Sequence, residues 1–355
     1  MRKQGGLSLI EIMVGMAVGL VGTVAIMQVY AVNEEMKRTT VSTGEAQLNG
    51  TLALFSMERD LRMAGWGMSD SQGLALGCTS MHWAQNGVAQ AVRSFVPASL
   101  NNKDDAPDEL SVIYGTDSQR MLPTTLTADM ADPDSDLALD NAAGIDVGDV
   151  LMLVETGKDC TLMQVTAIAP GGVLTHTGSG YFNPPPGTVT PTYAKGALVF
   201  NLGQPVGRRF AISEKGHLTA TDFLTAGAEQ TISPDVIDMQ AEYGWDDGSN
   251  GGTVEDRIVD RYSTVSPANR SQLKQILALR VAVLARSGKQ ERATTVGGEE
   301  VCNATTEASF PRWGEDRANT FPMLPREWDG SAPFCYRYRV FETVIPLRNV
   351  IWRKD

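Results

Sequence analysis

The sequence predicts an α+β protein in which one very long N-terminal helix precedes a mainly antiparallel β-sheet head. Three observations carry this expectation. Residues 7–32 contain a single charged side chain, Glu11. Helical spacing of apolar residues then continues to Ala64, and period-two alternation takes over beyond Cys78.

The helix is read in two halves. Ahead of it, residues 1–6 (MRKQGG) form a short basic leader with two positive charges. The apolar run 7–32 spans about 39 Å as a helix, against a hydrocarbon core of about 30 Å, so it is long enough to cross a membrane. After a polar stretch at 33–43, Leu48, Leu52 and Phe55, with Leu54, Met57, Leu61 and Ala64, recur at three- and four-residue intervals. Glu58 and Arg62 form an i,i+4 pair on the same segment. A stop is expected at Gly65-Trp66-Gly67. The expected divisions are a leader at 1–6, an apolar segment at 7–32, an amphipathic continuation at 33–65 and a head at 66–355. Gly44 and Gly50 each cost about 1 kcal/mol in a helix, so a bend or melted turn is expected near them.

A secretory signal peptide would also begin with a basic leader and an apolar run, and Thr23-Val24-Ala25 offers a small-x-small cleavage site. Two features argue for another reading. A carboxylate inside an apolar span costs about 2.5–3.5 kcal/mol, so Glu11 requires a partner. The pair Gly5-Gly6 just before Leu7 is a poor helix former that a protease can hold extended.

In the head, Ile237, Met239, Ala241, Tyr243 and Trp245 alternate with Asp238, Gln240, Glu242 and Gly244, the pattern of a half-buried strand. Further strands are expected at 109–114, 150–154, 162–168, 197–202, 276–285 and 336–345. Turn-rich segments separate them, including 183–187 (NPPPG) and 246–252 (DDGSNGG). Long loops are expected between residues 80 and 145, and one helix is expected to pack on the sheet.

Composition narrows the function. The chain of 355 residues carries a formal net charge of −12. Such a surface repels phosphate backbones, so direct nucleic-acid binding is not expected. His82, His176 and His217 are far apart in sequence and show no metal-ligand spacing. No P-loop, nucleophile elbow or dinucleotide fingerprint occurs. No catalytic residue, cofactor or metal is assigned, and the chain is not expected to be an enzyme. The 246–252 loop has the composition of a calcium loop without EF-hand spacing and is read as a solvated hairpin turn. Tyr336, Tyr338 and Phe341, with Arg337 and Arg339, are read as a terminal strand filling the core rather than as a ligand platform.

The run Gly6-Leu7-Ser8-Leu9-Ile10-Glu11 resembles the class III signal of type IV prepilins. The resemblance implies cleavage between Gly6 and Leu7, N-methylation of Leu7, and a role in assembly for Glu11, the fifth residue after the cut. Leu7 stands where that family usually has Phe. The stretches Arg59-Asp60-Leu61-Arg62-Met63-Ala64-Gly65, Val147-Gly148-Asp149-Val150, Asp159-Cys160, Gln164-Val165-Thr166, Tyr243-Gly244, Arg339-Val340-Phe341-Glu342-Thr343 and Leu347-Arg348-Asn349 resemble, in that order and over most of the chain, the PilW family of type IV pilus minor pilins.

That family implies a low-abundance subunit that helps initiate pilus assembly and sits near the fibre tip. Before assembly it would lie in the bacterial inner membrane as a single-pass protein with its head in the periplasm. Later it would lie in the fibre at the cell surface. The implied partners are prepilin peptidase, the inner-membrane assembly platform, the major pilin and other minor pilins, with a large tip adhesin as a further candidate. A minor pseudopilin of a type II secretion system would share the signal and stem. A membrane-anchored ligand-binding protein or hydrolase would instead keep an uncut N-terminus. Motility, adhesion and DNA uptake are not distinguished by sequence.

Cys78, Cys160, Cys302 and Cys335 are even in number and lack CxxC spacing, as a disulfide-bonded exported head requires. Of three connectivities, Cys78–Cys160 with Cys302–Cys335 is favoured, because each closes the shorter loop. The second would pin the long loop bearing Trp313 and Trp328. The alternative is that some remain buried free thiols.

Overall fold

The computed structural model describes residues 8–68, 78, 80–117, 122–178, 180–254, 256–297, 299–302, 304–322 and 333–351. The stem is one α-helix, Leu9–Leu61, of 53 residues, about 80 Å long. It ends three residues before the expected Ala64, in a run of turns at 62–67 that includes the expected Gly65-Trp66-Gly67 stop. Gly65 there takes φ +74°, a left-handed conformation that glycine adopts without strain.

Contrary to the expected bend, the helix runs unbroken through Gly44 and Gly50. Gly50 has a packing reason to be there. A Cβ at this position would sit against the Phe341 ring, so only glycine lets the terminal strand lie this close to the helix.

Two antiparallel sheets receive the stem. The first orders Arg261–Ser263, Val236–Trp245, Ile276–Arg286 and Tyr338–Pro346. The second orders Gln230–Ser233, Leu218–Asp222, Val206–Ile212, Glu109–Tyr114 and Ala98–Asn101. Their inner faces and the back half of the stem share one core, built from residues such as Met57, Leu61, Leu110, Phe210, Met239, Tyr243, Leu279 and Val281.

A third, six-stranded sheet is ordered Arg93–Ser94, Ser80–His82, Cys160–Gln164, Val150–Val154, Leu198–Asn201 and Thr124–Thr125. Its one parallel pair joins Ser80–His82 to Cys160–Gln164. Alternate residues of Val150–Val154 feed two separate cores, which explains a continuous apolar run with no polar face. Two short helices, Arg270–Lys274 and Arg348–Ile351, add to the single helix expected.

Several expectations need correction. Val236–Trp245 is buried along its length except at Glu242. Its polar side does not face water, because the segment around Trp313 and Phe321 covers that face of the sheet. There Arg280 sits between Glu242 and Glu342, each 3.4 Å away, with its guanidinium over the Tyr262 ring. Asn319 donates to Glu242 at 3.2 Å, so the half-buried carboxylate is paired rather than solvated. A bulge between Val236 and Asp238 also puts Ile237 on the covered face, away from Met239 and Ala241.

The expected 162–168 strand is two strands, Cys160–Gln164 and Ala167–Ala169, in different sheets. Residues 80–145, expected as long loops apart from the 109–114 strand, hold seven further short strands. Tyr336 and Tyr338 are buried, and the terminal strand itself begins at Tyr338.

Cys78 is bonded to Cys160 and Cys302 to Cys335, with Cα separations of 5.5 and 4.8 Å. The first bond lies in the core of the six-stranded sheet. The second ties the covering segment to the start of the terminal strand. Trp328 lies outside the described residues.

Candidate assembly site on the stem helix

Gly6 and Leu7, the expected cleavage and methylation positions, lie outside the described residues. Glu11 is described, and the partner that its place in an apolar span requires is found at the helix start. Ser8 is the N-cap of the stem: its backbone N–H donates to Glu11 Oε2 at 3.1 Å, while the Glu11 N–H donates to Ser8 Oγ at 3.4 Å. This reciprocal capping box satisfies two of the N–H groups that a helix start leaves open. Its signal, Ser-x-x-Glu directly ahead of an apolar run, is legible in Ser8-Leu9-Ile10-Glu11 but was missed from the sequence.

Beyond the cap, the front half of the helix packs on nothing among the described residues of its own chain. Leu9, Ile10, Met16, Ile26 and Tyr30 are each 70% exposed or more. No part of the most apolar 18-residue window is buried, and the segment is long and apolar enough to span a bilayer. A surface of this size and character demands an apolar surrounding, either lipid or other helices.

The back half is fastened to the head. Its buried stripe is Ala46, Gly50, Ala53, Met57, Leu61 and Ala64, small residues first and large ones later. Polar links reinforce the stripe. Asp60, 2% exposed, pairs with Arg208 at 2.6 Å and accepts a 3.2 Å hydrogen bond from Tyr114. Burial, with the Asp60 carboxylate beside it, pushes the Tyr114 hydroxyl up to about 12, so it stays a donor. Ser233 donates to the Asn49 carbonyl at 2.9 Å. Asn349 donates to the carbonyls of Met63 and Ala64 at 3.2 and 3.0 Å, closing groups left open past the helix end.

The expected packing face is partly reversed. Met57, Leu61 and Ala64 are buried and Leu54 half-buried as expected, but Leu48, Leu52 and Phe55 are 67%, 45% and 64% exposed. They line a second apolar stripe that points away from the head. Sequence spacing identified an amphipathic helix but not which of two apolar stripes the head would take. Ala46, Gly50 and Ala53 were the missed signal.

Residues 1–27 match the prokaryotic N-terminal methylation motif, and residues 217–349 match the family of type IV pilus-assembly protein W, PilW. The chain thus joins a prepilin-type N-terminal motif to a C-terminal region similar to PilW. No curated protein matches it. The PilW-like match contains the whole four-stranded sheet and ends on Asn349, the residue that caps the stem. It is narrower than the resemblance read from sequence, since 59–65 and 147–166 lie outside it.

In the 246–252 loop, Asp247 pairs with Arg261 and Gly248 donates to Asp260 Oδ2 at 2.7 Å. Among the described residues no group of three or more His, Cys, Asp or Glu is placed to hold a metal ion.

Proposed function

We propose that this PilW-like chain is a minor pilin: cleaved after Gly6 by a prepilin peptidase, N-methylated on Leu7, held in the inner membrane by its stem and then incorporated near the tip of a type IV pilus. The observation that carries the reading is the division of one continuous helix. Its front half is apolar and unpartnered, its back half is anchored to the head, and the stripe Leu48, Leu52 and Phe55 is left facing outward for the stems of the major pilin and other minor pilins. Such a stem moves from lipid into a bundle of like helices without changing its fold.

Glu11 carries the assembly step. In the precursor its carboxylate is occupied by the Ser8 cap. Cleavage creates a cationic amine at Leu7, since an α-amino group titrates near 8. An amine from an adjacent, staggered stem neutralises the Glu11 charge in an apolar surrounding, which couples neutralisation to docking.

The test is complementation of a strain lacking this gene. Glu11→Ala is expected to be cleaved and inserted yet to leave the strain without surface pili, and Gly6→Val to remain uncut. Normal piliation with Glu11→Ala would end the assembly role. Restored type II secretion with no change in pili would assign the chain to a secretion pseudopilus instead.

A further inference from the structure

A cleft of about 300 Å³ opens between the stem and the 289–292 loop. It lies where the apolar run ends. Tyr30 forms its lower wall, and tyrosine side chains favour the boundary between hydrocarbon and headgroups. Arg38, eight residues farther on, is about 12 Å higher along the axis, at or just beyond the headgroup layer.

The charges in this cleft run against those of the whole molecule. The chain carries −12, whereas the cleft gathers Arg38, Lys289 and Arg292 against Glu34 and Glu291. Glu291 is already held by the side chain of Arg337, which donates to both of its oxygens. One acid therefore faces three cations. Among the described residues, none of those cations makes an ion pair.

We propose that this cleft binds the phosphate headgroup of an anionic phospholipid in the periplasmic leaflet, seating the head on the bilayer before assembly. The inference rests on the membrane-spanning reading of the stem. The chemistry favours lipid over a neighbouring stem, because a second apolar helix would leave a net excess of two positive charges, three cations against Glu34, without counter-charge. An anionic membrane surface attracts each nearby Lys or Arg by about 1 kcal/mol. Leaving the membrane for the fibre would then require release of that lipid.

The test uses the full chain in nanodiscs of phosphatidylcholine and phosphatidylglycerol, followed by mild detergent extraction and native mass spectrometry of retained lipid. The wild type is expected to keep phosphatidylglycerol in preference to phosphatidylcholine. Arg38→Gln, Lys289→Gln and Arg292→Gln are each expected to lower that preference about fivefold, and Glu34→Gln to raise it. All four sites are solvent-exposed, so the fold should survive, and Arg312→Gln, exposed elsewhere on the head, should change nothing.

Equal retention of the two lipids, or an unchanged preference in the triple Gln variant, would overturn the proposal. Displacement of the lipid by millimolar inorganic phosphate would replace it with a free-phosphate site. A lipid-free dimer recovered through this cleft would replace it with self-association. A chain that never enters the nanodisc sinks the membrane reading and this inference together, whereas insertion without lipid preference sinks the inference alone.

Discussion

The two halves of the stem are one helix under two sets of rules. Residues 9–32 bury nothing, and the sequence there needs only length, apolarity and a satisfied start, which the Ser8–Glu11 box supplies. Residues 42–64 meet a sheet, and every turn is constrained by what it touches. Ala46, Gly50 and Ala53 let the helix approach, Met57 and Leu61 fill the gap beyond, and Asp60 binds Arg208 across the junction. Glycine shows the difference in one residue type. A Cβ at Gly15, Gly19 or Gly22 would meet nothing within 4 Å, while at Gly50 it would collide with Phe341. A surface meant for other molecules tolerates more within its own chain than one already engaged.

Breaking the junction should have the largest effect. Arg208→Met leaves the Asp60 carboxylate buried with Tyr114 as its remaining side-chain donor, and is expected to destabilise the head by about 3–5 kcal/mol. Denaturant unfolding of the full chain in detergent, followed by tryptophan fluorescence, measures it. A loss under 1 kcal/mol would mean the stem is held by apolar contact alone.

Matched truncations sharpen the contrast between the stripes. Leu61→Ala is expected to cost about 2–5 kcal/mol in the same assay through a buried cavity. Leu52→Ala, on the outward stripe, should stay within about 0.5 kcal/mol yet reduce incorporation into the fibre. Equal stability losses would erase the distinction.

Acidity should act on the head that anchors the back half and leave the front half alone. Asp108 accepts from the backbone N–H groups of Lys103 and Ala241, both at 2.9 Å, and fixes the 102–108 segment to the central strand. Burial raises its carboxyl from 3.8 to about 6 despite these bonds. The folded state therefore holds the proton more tightly than the unfolded chain. The Asp108 contribution is most favourable below pH 4 and is lost as pH rises through about 6, on the order of 3 kcal/mol in all. Asp108→Asn should remove that slope from the stability profile, and an unchanged slope would acquit this residue.

The smallest effects come from the paired glycines. Gly44→Ala should stabilise the stem by about 1 kcal/mol, since its position is open and alanine favours helix. Gly50→Ala should instead destabilise by about 1–2 kcal/mol, because the Phe341 ring must move. If Phe341→Ala abolishes the Gly50 penalty, the clash is the cause.

Much of this was legible in residues alone. Length and hydropathy fix the stem, because a run of 26 residues with one charge has few other stable forms, and the Ser-x-x-Glu start is a local motif that needs no tertiary context. The strands at 109–114 and 150–154 follow from β-rich runs bounded by turn residues. What sequence could not supply depends on partners distant along the chain. Leu48, Leu52 and Phe55 look more apolar than Ala46, Gly50 and Ala53, yet the head took the smaller stripe, because close approach to a sheet is limited by side-chain volume and not by hydropathy. Asp238, Gln240 and Glu242 read as a solvent face until a segment some seventy residues later covered them. Periodicity records which residues share a face; only the folded chain decides what that face meets, since burial depends on contacts that local sequence does not encode.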